Sequence, residues 1–291
     1  MGDVTATDAS TTASTTPSTT ASLPVASIAN PHPPVSAGRV FVALLSRDLR
    51  VARRELPFFL IRTVMQPILF VIVFGYLLPK MGFTQPGYQA ALLPGILALS
   101  LMLASAQSVT LPMVTEFGWT KEIEDRLLAP ISIDLVAIEK IVNAMIQGVI
   151  AAIVVLPLAR LVMGPVPGFT FSHFPELTLV VLLSAAAASA FGLLLGVLIS
   201  PQQIGFMFSL IITPMIFFGC AYYPWRGLDV VPWLKYTVLI NPLVYISEGL
   251  RASLTPSVAH MPFMAIIGAL IVLTAGFTWA ALVRFRMRAL G

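Results

Sequence analysis

The densest group of charged side chains in this sequence lies between Glu116 and Lys140. This stretch holds nine of the chain's 30 Asp, Glu, Lys and Arg residues, and apolar sequence flanks it on both sides. Its carboxylates are interleaved with Lys121 and Arg126, and Glu122 precedes Arg126 by four residues, the favourable order for an ion pair on a helix. This pattern is typical of a salt-bridged helix, whereas a metal site or an acid–base pair needs side chains that converge.

We predict a short helix over Lys121–Leu128, which Thr120 caps and Pro130 ends. Acidic residues near its N-terminus complement the helix dipole. Its apolar side chains would suit a groove on another protein: Ile123, Leu127 and Leu128. The alternative is that this helix packs back on its own membrane domain.

The composition of the chain indicates a polytopic membrane protein. The 291 residues are 57% hydrophobic and 10% charged, with a mean hydropathy of +0.91, whereas a soluble domain carries about 25% charged residues. The net charge of +4 comes from arginines beside apolar stretches, so anionic lipid headgroups are the expected partner rather than nucleic acid. Cys220 is the only cysteine, which excludes an internal disulfide.

We predict an all-α membrane protein with six transmembrane helices. About 20 apolar residues are needed to cross the hydrocarbon core, and the fourth and fifth stretches must form a tight hairpin at Pro201. The six stretches of that length are Phe58–Leu78, Ala90–Val114, Val136–Val162, Leu177–Ser200, Gln203–Tyr222 and Phe263–Phe285.

The N-terminal part of the chain divides into two segments of different composition. Residues 1–38 are rich in Ser, Thr, Ala and Pro, and we expect them to be disordered. Residues 39–57 have a helical apolar period, which predicts an amphipathic helix in the headgroup plane that ends at Pro57. Residues 58–291 form the membrane domain, with the charged helix at about 117–133.

The distribution of Lys and Arg predicts the orientation. Twelve of the 17 fall on one side of the predicted spans and five on the other, so the positive-inside rule puts both termini and the charged stretch in the cytoplasm. The expected location is the inner (cytoplasmic) membrane.

The segment from about 223 to 262 mixes charges with apolar runs and is too long for a simple connection. We predict a re-entrant pair of short helices, broken at Asn241–Pro242, with its backbone buried against protein rather than lipid. Glu248 and Arg251 are spaced to form an ion pair there.

Two motifs resemble those of the ABC-2 type permeases. KEIEDRLLAPIS at 121–132 is similar to the element after their second span, and INPLVYISEGLR at 240–251 is similar to the N-P-L-x-Y-x-x-E-x-x-R stretch before their last span. The order of elements also resembles that family, and the likeness covers about Val40 to Arg288.

The resemblance implies the transmembrane subunit of an ABC exporter, which forms a homodimer or a heterodimer with a related permease. It implies coupling to an ABC ATP-binding subunit through Lys121, Glu122, Ile123, Glu124, Asp125, Arg126, Leu127, Leu128 and Pro130. It also implies an outer re-entrant cap that contains Asn241, Pro242, Tyr245, Glu248 and Arg251. Substrates in the family include drugs, lipids and glycoconjugates, so an amphiphile is expected.

The chain has no P-loop of its own. None of its four lysines follows a glycine, so the G-K-[ST] core of an ATP site is absent. We therefore expect a non-catalytic subunit that holds no cofactor, with ATP bound by the partner subunit.

Polar residues within the spans are few, and two interpretations stay open for them. They could line a transport pathway or form hydrogen bonds between helices. The candidates for a pathway lining are Gln66, Met102, Ser105, Ser108, Thr213 and Phe217, and Gln107, Asn143 and Gln147 are further polar residues in the second and third spans. On the fourth span, Ser184, Ala188, Gly192, Gly196 and Ser200 form a small-residue stripe that favours close helix packing.

Two other classes of protein are less well supported. A secondary transporter or channel would work without an ATPase partner, but it usually needs a carboxylate or a broken helix at mid-depth. An intramembrane enzyme would need paired acids, a histidine cluster or a nucleophile beside a base, and the only dense acidic group is the charged stretch.

Overall fold

The N-terminal helix is longer than the sequence predicts. A computed structural model describes residues 37–120 and 132–290. Helix α1 covers Ala37–Phe70 and continues through a π-helical segment, Val71–Leu77, and a last turn, Leu78–Lys80. The predicted end at Pro57 is therefore wrong, because Pro57 lies inside α1. A proline frees the carbonyl four residues earlier, and this side of α1 is exposed, so solvent or headgroups can satisfy that carbonyl.

Four further helices are long. They are α2, Tyr88–Thr115, which a π-helical turn extends to Thr120; α3, Ile133–Met163; α4, Phe174–Leu198; and α8, Phe263–Leu290. Together with α1, they are the five helices in the described part of the chain that are long and apolar enough to cross a membrane. This is a multi-pass, all-helical arrangement, and no strand occurs among the described residues.

The fifth predicted span is shorter than expected. Helix α5 covers Pro201–Phe217 and contains a π-helical turn at Phe208–Ile212. It ends before Tyr222 because Phe218 leaves the helical conformation and Cys220 has a φ of 52°, a left-handed value that a helix cannot contain. The expected tight connection from α4 to α5 is present, with α4 ending at Leu198. A sixth crossing therefore stays a prediction.

Helices α2 and α4 form the centre of the bundle. Helix α2 packs on α4, α3 and α1, and α4 packs on α8. A Cβ added at Gly192 of α4 would lie 2.5 Å from the Ala106 carbonyl oxygen of α2, and the Thr110 hydroxyl donates to the Gly192 carbonyl over 2.7 Å. The small residues on α4 therefore serve close packing, as the sequence predicts.

Short helices connect α5 to α8. A 3-10 turn at Trp225–Val230 precedes α6, Pro232–Thr237, and α7 follows at Pro242–Leu254. The predicted break at Asn241–Pro242 is confirmed, because the Asn241 side chain caps α7 by accepting from the Leu243 amide over 3.0 Å. Helix α7 packs on α2, α4 and α8. Whether this pair enters the membrane stays a prediction.

Candidate functional site

A buried ion cluster joins α1, α2 and α3 at the end of the bundle where α2 ends and α3 begins. We call this end the charged end of the bundle. The Lys140 ammonium on α3 donates to the Glu116 carboxylate at 2.7 Å and to the Asp48 carboxylate of α1 at 3.2 Å. All three side chains are at least nine-tenths buried. Charges this far from water are stable only when they are paired, so the cluster fixes α1 against α2 and α3.

Arginines of α8 hold the remaining helices at the same end. Arg286 forms an ion pair with Asp134, in the first turn of α3. Arg288 donates to the Val197 carbonyl at 2.5 Å, at the end of α4, and lies over the Phe117 ring at 4.8 Å. The orphan carbonyls at the end of a helix attract cations, so Arg288 stabilises the end of α4. The helix ends on both sides of residues 121–131 are therefore anchored to the bundle.

A cavity of about 890 Å³ opens beside the ion cluster, between α1, α2 and α3. Its charged wall contains Arg47, Asp48, Arg54, Glu55, Glu116 and Lys140. Its uncharged polar wall contains Thr63, Gln107, Ser108, Thr115, Asn143 and Gln147. Apolar side chains of α1 and α2, including Phe58 and Leu111, complete the wall.

A second buried ion pair organises the opposite end of the bundle, which we call the α7 end. Glu248 and Arg251 of α7 form the ion pair that their spacing predicts, and both side chains are fully buried. The Glu248 carboxylate also accepts from the Trp225 amide at 2.9 Å and the Met261 amide at 2.8 Å.

Arg251 connects this pair to the centre of the bundle. Its guanidinium donates to the carbonyls of Ala91 on α2 and Cys220, both at 3.0 Å. The left-handed conformation of Cys220 belongs to the turn that carries this carbonyl. Each charged group of the pair therefore has several partners, and the pair joins α2, α7, the turn after α5 and the start of α8.

Comparison with known proteins identifies the family. The sequence profile of the ABC-2 type transporter family matches residues 39–255. The chain belongs to the ABC-2 type transporter family. It is also similar to a protein of Cyanophora paradoxa named "Putative transport permease ycf38", with 27% identity over 229 residues that cover 72% of each chain. Family membership makes this chain a multi-pass membrane protein of a transport permease family, and it implies an ABC ATP-binding partner.

The residues predicted to couple an ABC-2 permease to its ATPase are Lys121–Leu128 and Pro130, and they lie outside the described residues. Glu116 and Lys140, on either side of this segment, are among the described residues, and they form an ion pair with each other. Sequence reasoning did not find the contribution of Asp48, because an acid among the arginines of α1 carries no signal that pairs it with a lysine 92 residues away.

The residues of the predicted outer cap are brought together at the α7 end. Asn241 donates to the Met215 carbonyl of α5 at 2.8 Å, and the Tyr245 hydroxyl donates to the Leu239 carbonyl at 2.9 Å. With Pro242 at the start of α7, these groups hold the cap to α5 and to the turn before α7. This arrangement is compatible with a rigid cover at this end.

The predicted pathway residues occupy three different environments. Met102 and Ser105 are buried inside the bundle. The exposed members lie on the surfaces of α1 and α5, and they are Gln66, Thr213 and Phe217. Only Ser108 lines the cavity, where it lies with the further polar residues of the second and third spans, Gln107, Asn143 and Gln147.

Proposed function

We propose that this chain is the transmembrane subunit of an ABC exporter, which pairs as a homodimer or with a related permease and moves an amphiphilic substrate across the cytoplasmic membrane. ATP is bound and hydrolysed by a separate subunit, so this chain has no catalytic residues and needs no cofactor of its own. The observation that carries the proposal is the match of the ABC-2 type transporter family to residues 39–255.

The proposed coupling device consists of Lys121–Leu128 with Pro130, and it contains Glu122 and Leu127. It connects Glu116 to Lys140, and these two residues form a buried ion pair. A segment with anchored ends can transmit a displacement to the helices behind it, whereas a loose loop would absorb that displacement. The cluster that anchors it also contains Asp48, so α1 moves with α2 and α3 in this proposal.

The proposed orientation puts the charged end in the cytoplasm and the α7 end outside. Basic side chains of α1 and α8 are concentrated at the charged end, among them Arg286 and Arg288, and the positive-inside rule favours this placement. Both termini of the membrane domain are then cytoplasmic, and the cap at Asn241–Arg251 covers the outer end of the route.

The contacts of α5 support a sixth crossing in spite of its short length. A Cβ added at Gly118, after the end of α2, would meet Pro201, and one added at Gly95, near the start of α2, would meet Ala221. Positions 201 and 221 therefore lie beside positions of α2 that are 23 residues apart, about 35 Å at the rise of a helix. That length is sufficient for the hydrocarbon core of a bilayer, about 30 Å.

The coupling proposal is tested by affinity purification of the tagged chain from host membranes, with mass spectrometry of the recovered proteins. We expect wild-type chain to recover an ABC ATP-binding subunit. The double variant Glu122→Ala/Leu127→Ala removes a charge and an apolar side chain from the proposed coupling device. It should lower that recovery about tenfold or more, since one lost interfacial anchor costs about 1–2 kcal/mol.

Arg226→Ala is the control, because Arg226 is an exposed residue at the α7 end. This variant should recover the ATP-binding subunit as wild type does. Undiminished recovery by the double variant would contradict the assignment of these residues as the coupling device. Substrate transport by purified wild-type chain without any ATP-hydrolysing subunit would favour the secondary-transporter alternative instead.

A further inference from the structure

The cavity at the charged end has a lining whose charges balance. Among the described residues that line it, three cationic side chains, Arg47, Arg54 and Lys140, are matched by the three carboxylates of Asp48, Glu55 and Glu116. Lys140 is already shared between Asp48 and Glu116. A cavity without net charge gives an anion little long-range attraction, so an anionic headgroup is not the ligand that this wall favours.

The deeper wall consists of amides and hydroxyls without charge. Asn143 and Gln147 stand one turn apart on α3 and face the cavity with Ser108 of α2. Ser108 is seven residues before the end of α2, and Asn143 is ten residues after the start of α3. At the rise of a helix these positions lie about 10–15 Å from the charged end, within the depth of a membrane, where polar side chains usually face a cavity.

Two groups of this wall lack a hydrogen-bond partner. The Asn143 carboxamide oxygen and the Ser108 hydroxyl are buried, and neither has a partner within the described residues. An unsatisfied buried polar group costs about 1–3 kcal/mol. A ligand or a water molecule in the cavity that carries hydrogen-bond donors would remove this cost.

The α1 wall supplies an apolar surface next to these amides. Arg47, Val51, Arg54 and Phe58 recur at spacings of four and three, so they lie on one face of α1. Phe58 is 82% exposed although it is large and aromatic. On this face the guanidinium groups of Arg47 and Arg54 precede the aromatic ring of Phe58 along the chain, so polar and apolar contacts are both available to a molecule with a polar head and an apolar chain.

We propose that this cavity binds an amphiphile from the adjacent leaflet whose headgroup is uncharged and rich in hydroxyl or amide groups. The headgroup hydrogen-bonds to Asn143, Gln147 and Ser108, and the apolar chain lies along Val51 and Phe58. That this ligand is a transport substrate rests on the proposed function. Its binding requires neither the ATP-binding subunit nor a dimer.

The experiment uses full-length chain in phosphatidylcholine nanodiscs that contain a photoactivatable lipid probe. One arm contains a monoglucosyl diacylglycerol probe, and a second contains a phosphatidylglycerol probe with the same acyl chain. A third arm contains the glucosyl probe with excess free glucose as a soluble competitor. The crosslinked peptides are mapped by mass spectrometry.

We expect the glucosyl probe to label α1, α2 and α3 around the cavity more strongly than the phosphatidylglycerol probe, with no effect of free glucose. Asn143→Leu should reduce this labelling about tenfold, which corresponds to the loss of one good hydrogen bond. Gln202→Leu makes the same replacement of a carboxamide at an exposed site outside the cavity and should keep the wild-type yield.

A measurement of thermal unfolding separates binding from folding. Asn143→Leu removes a buried carboxamide oxygen that has no partner within the described residues, so its unfolding midpoint without glycolipid should equal or exceed that of wild type. Ser108→Ala is a second, smaller variant with the same expected loss of labelling. Preferential labelling by phosphatidylglycerol, competition by free glucose or an unchanged yield in both variants would overturn the proposal. None of these outcomes depends on recovery of an ATP-binding subunit, so this test and that of the proposed function fail independently.

Discussion

At both ends of the bundle, charged side chains are buried in an apolar protein and neutralised by ion pairs. At the α7 end, Glu248 and Arg251 are fully buried and bond to each other and to backbone groups. At the charged end, Lys140 neutralises two carboxylates. Because removal of one partner leaves an uncompensated buried charge, each cluster should be sensitive to a single substitution.

Glu248→Ala should destabilise the protein by about 3–5 kcal/mol, the range for breaking a buried ion pair. The substitution removes the acceptor of the Trp225 and Met261 amides and leaves the Arg251 guanidinium without its counter-charge. The measurement is the unfolding midpoint of purified protein in detergent, followed by tryptophan fluorescence. Asp229→Asn, which breaks the partly exposed pair with Lys235, is the control and should change stability by less than about 1 kcal/mol. Equal effects of the two substitutions would contradict the assignment.

Lys140→Met should also destabilise the folded state by about 3–5 kcal/mol, because it buries the Asp48 and Glu116 carboxylates without their shared cation. The triple variant Asp48→Asn/Glu116→Gln/Lys140→Met carries no charge at these positions and should recover part of the loss. Unfolding midpoints of wild type and both variants provide the check. A triple variant less stable than Lys140→Met would indicate that the carboxylates have a different main role.

At the scale of helices, close approach depends on residues without bulky side chains. Gly192 and Gly196 of α4 face Ala106, Thr110 and Met113 of α2. Two helices of this kind gain van der Waals contact and a hydrogen bond, which are the main attractions available between apolar helices in lipid. The sequence predicts this packing from the spacing of small residues alone, since four-residue intervals place them on one helix face.

Gly192→Val should separate α4 from α2 and lower the unfolding midpoint, because a Cβ would lie 2.5 Å from the Ala106 carbonyl oxygen and 2.6 Å from its Cα. Overpacking of this kind typically costs about 1–3 kcal/mol. Gly268→Val on α8 is the matched control, since its Cβ would meet no atom within 4 Å. A control variant as unstable as Gly192→Val would show that the valine itself, and not the contact, causes the loss.

At the scale of the whole molecule, α5 decides the topology. Its neighbours place its start at the charged end and the turn after it at the α7 end. Asp48 of α1 and Arg286 of α8 both lie at the charged end, and the even number of crossings that this requires is reached only if α5 is one of them. Accessibility on the two sides of the membrane therefore tests the sixth crossing directly.

Gln202→Cys should react with a membrane-impermeant maleimide only in permeabilised cells, whereas Arg226→Cys should react in intact cells. Both positions are exposed; Gln202 lies at the start of α5, and Arg226 lies beyond its other end. The native Cys220 is fully buried, so wild-type protein should give little background. Labelling of both variants from the same side would contradict a sixth crossing.

Local sequence patterns predict the membrane character of the chain, the five long helices of its described part, the break at Asn241–Pro242 and the Glu248–Arg251 pair. These features follow from apolar length, from proline chemistry and from spacing within one helix, all of which are local. Such patterns do not determine that α1 continues through Pro57, because the cost of a helical proline depends on what surrounds the freed carbonyl.

The packing of the helices brings Asp48, Glu116 and Lys140 together and places Ser108 and Asn143 on one cavity wall. These residues are polar at positions where the sequence permits either hydrogen bonding between helices or an open cavity. Which one occurs depends on how closely α1 approaches α2 and α3. That distance results from the packing of whole helices, and no pattern within a single helix specifies it.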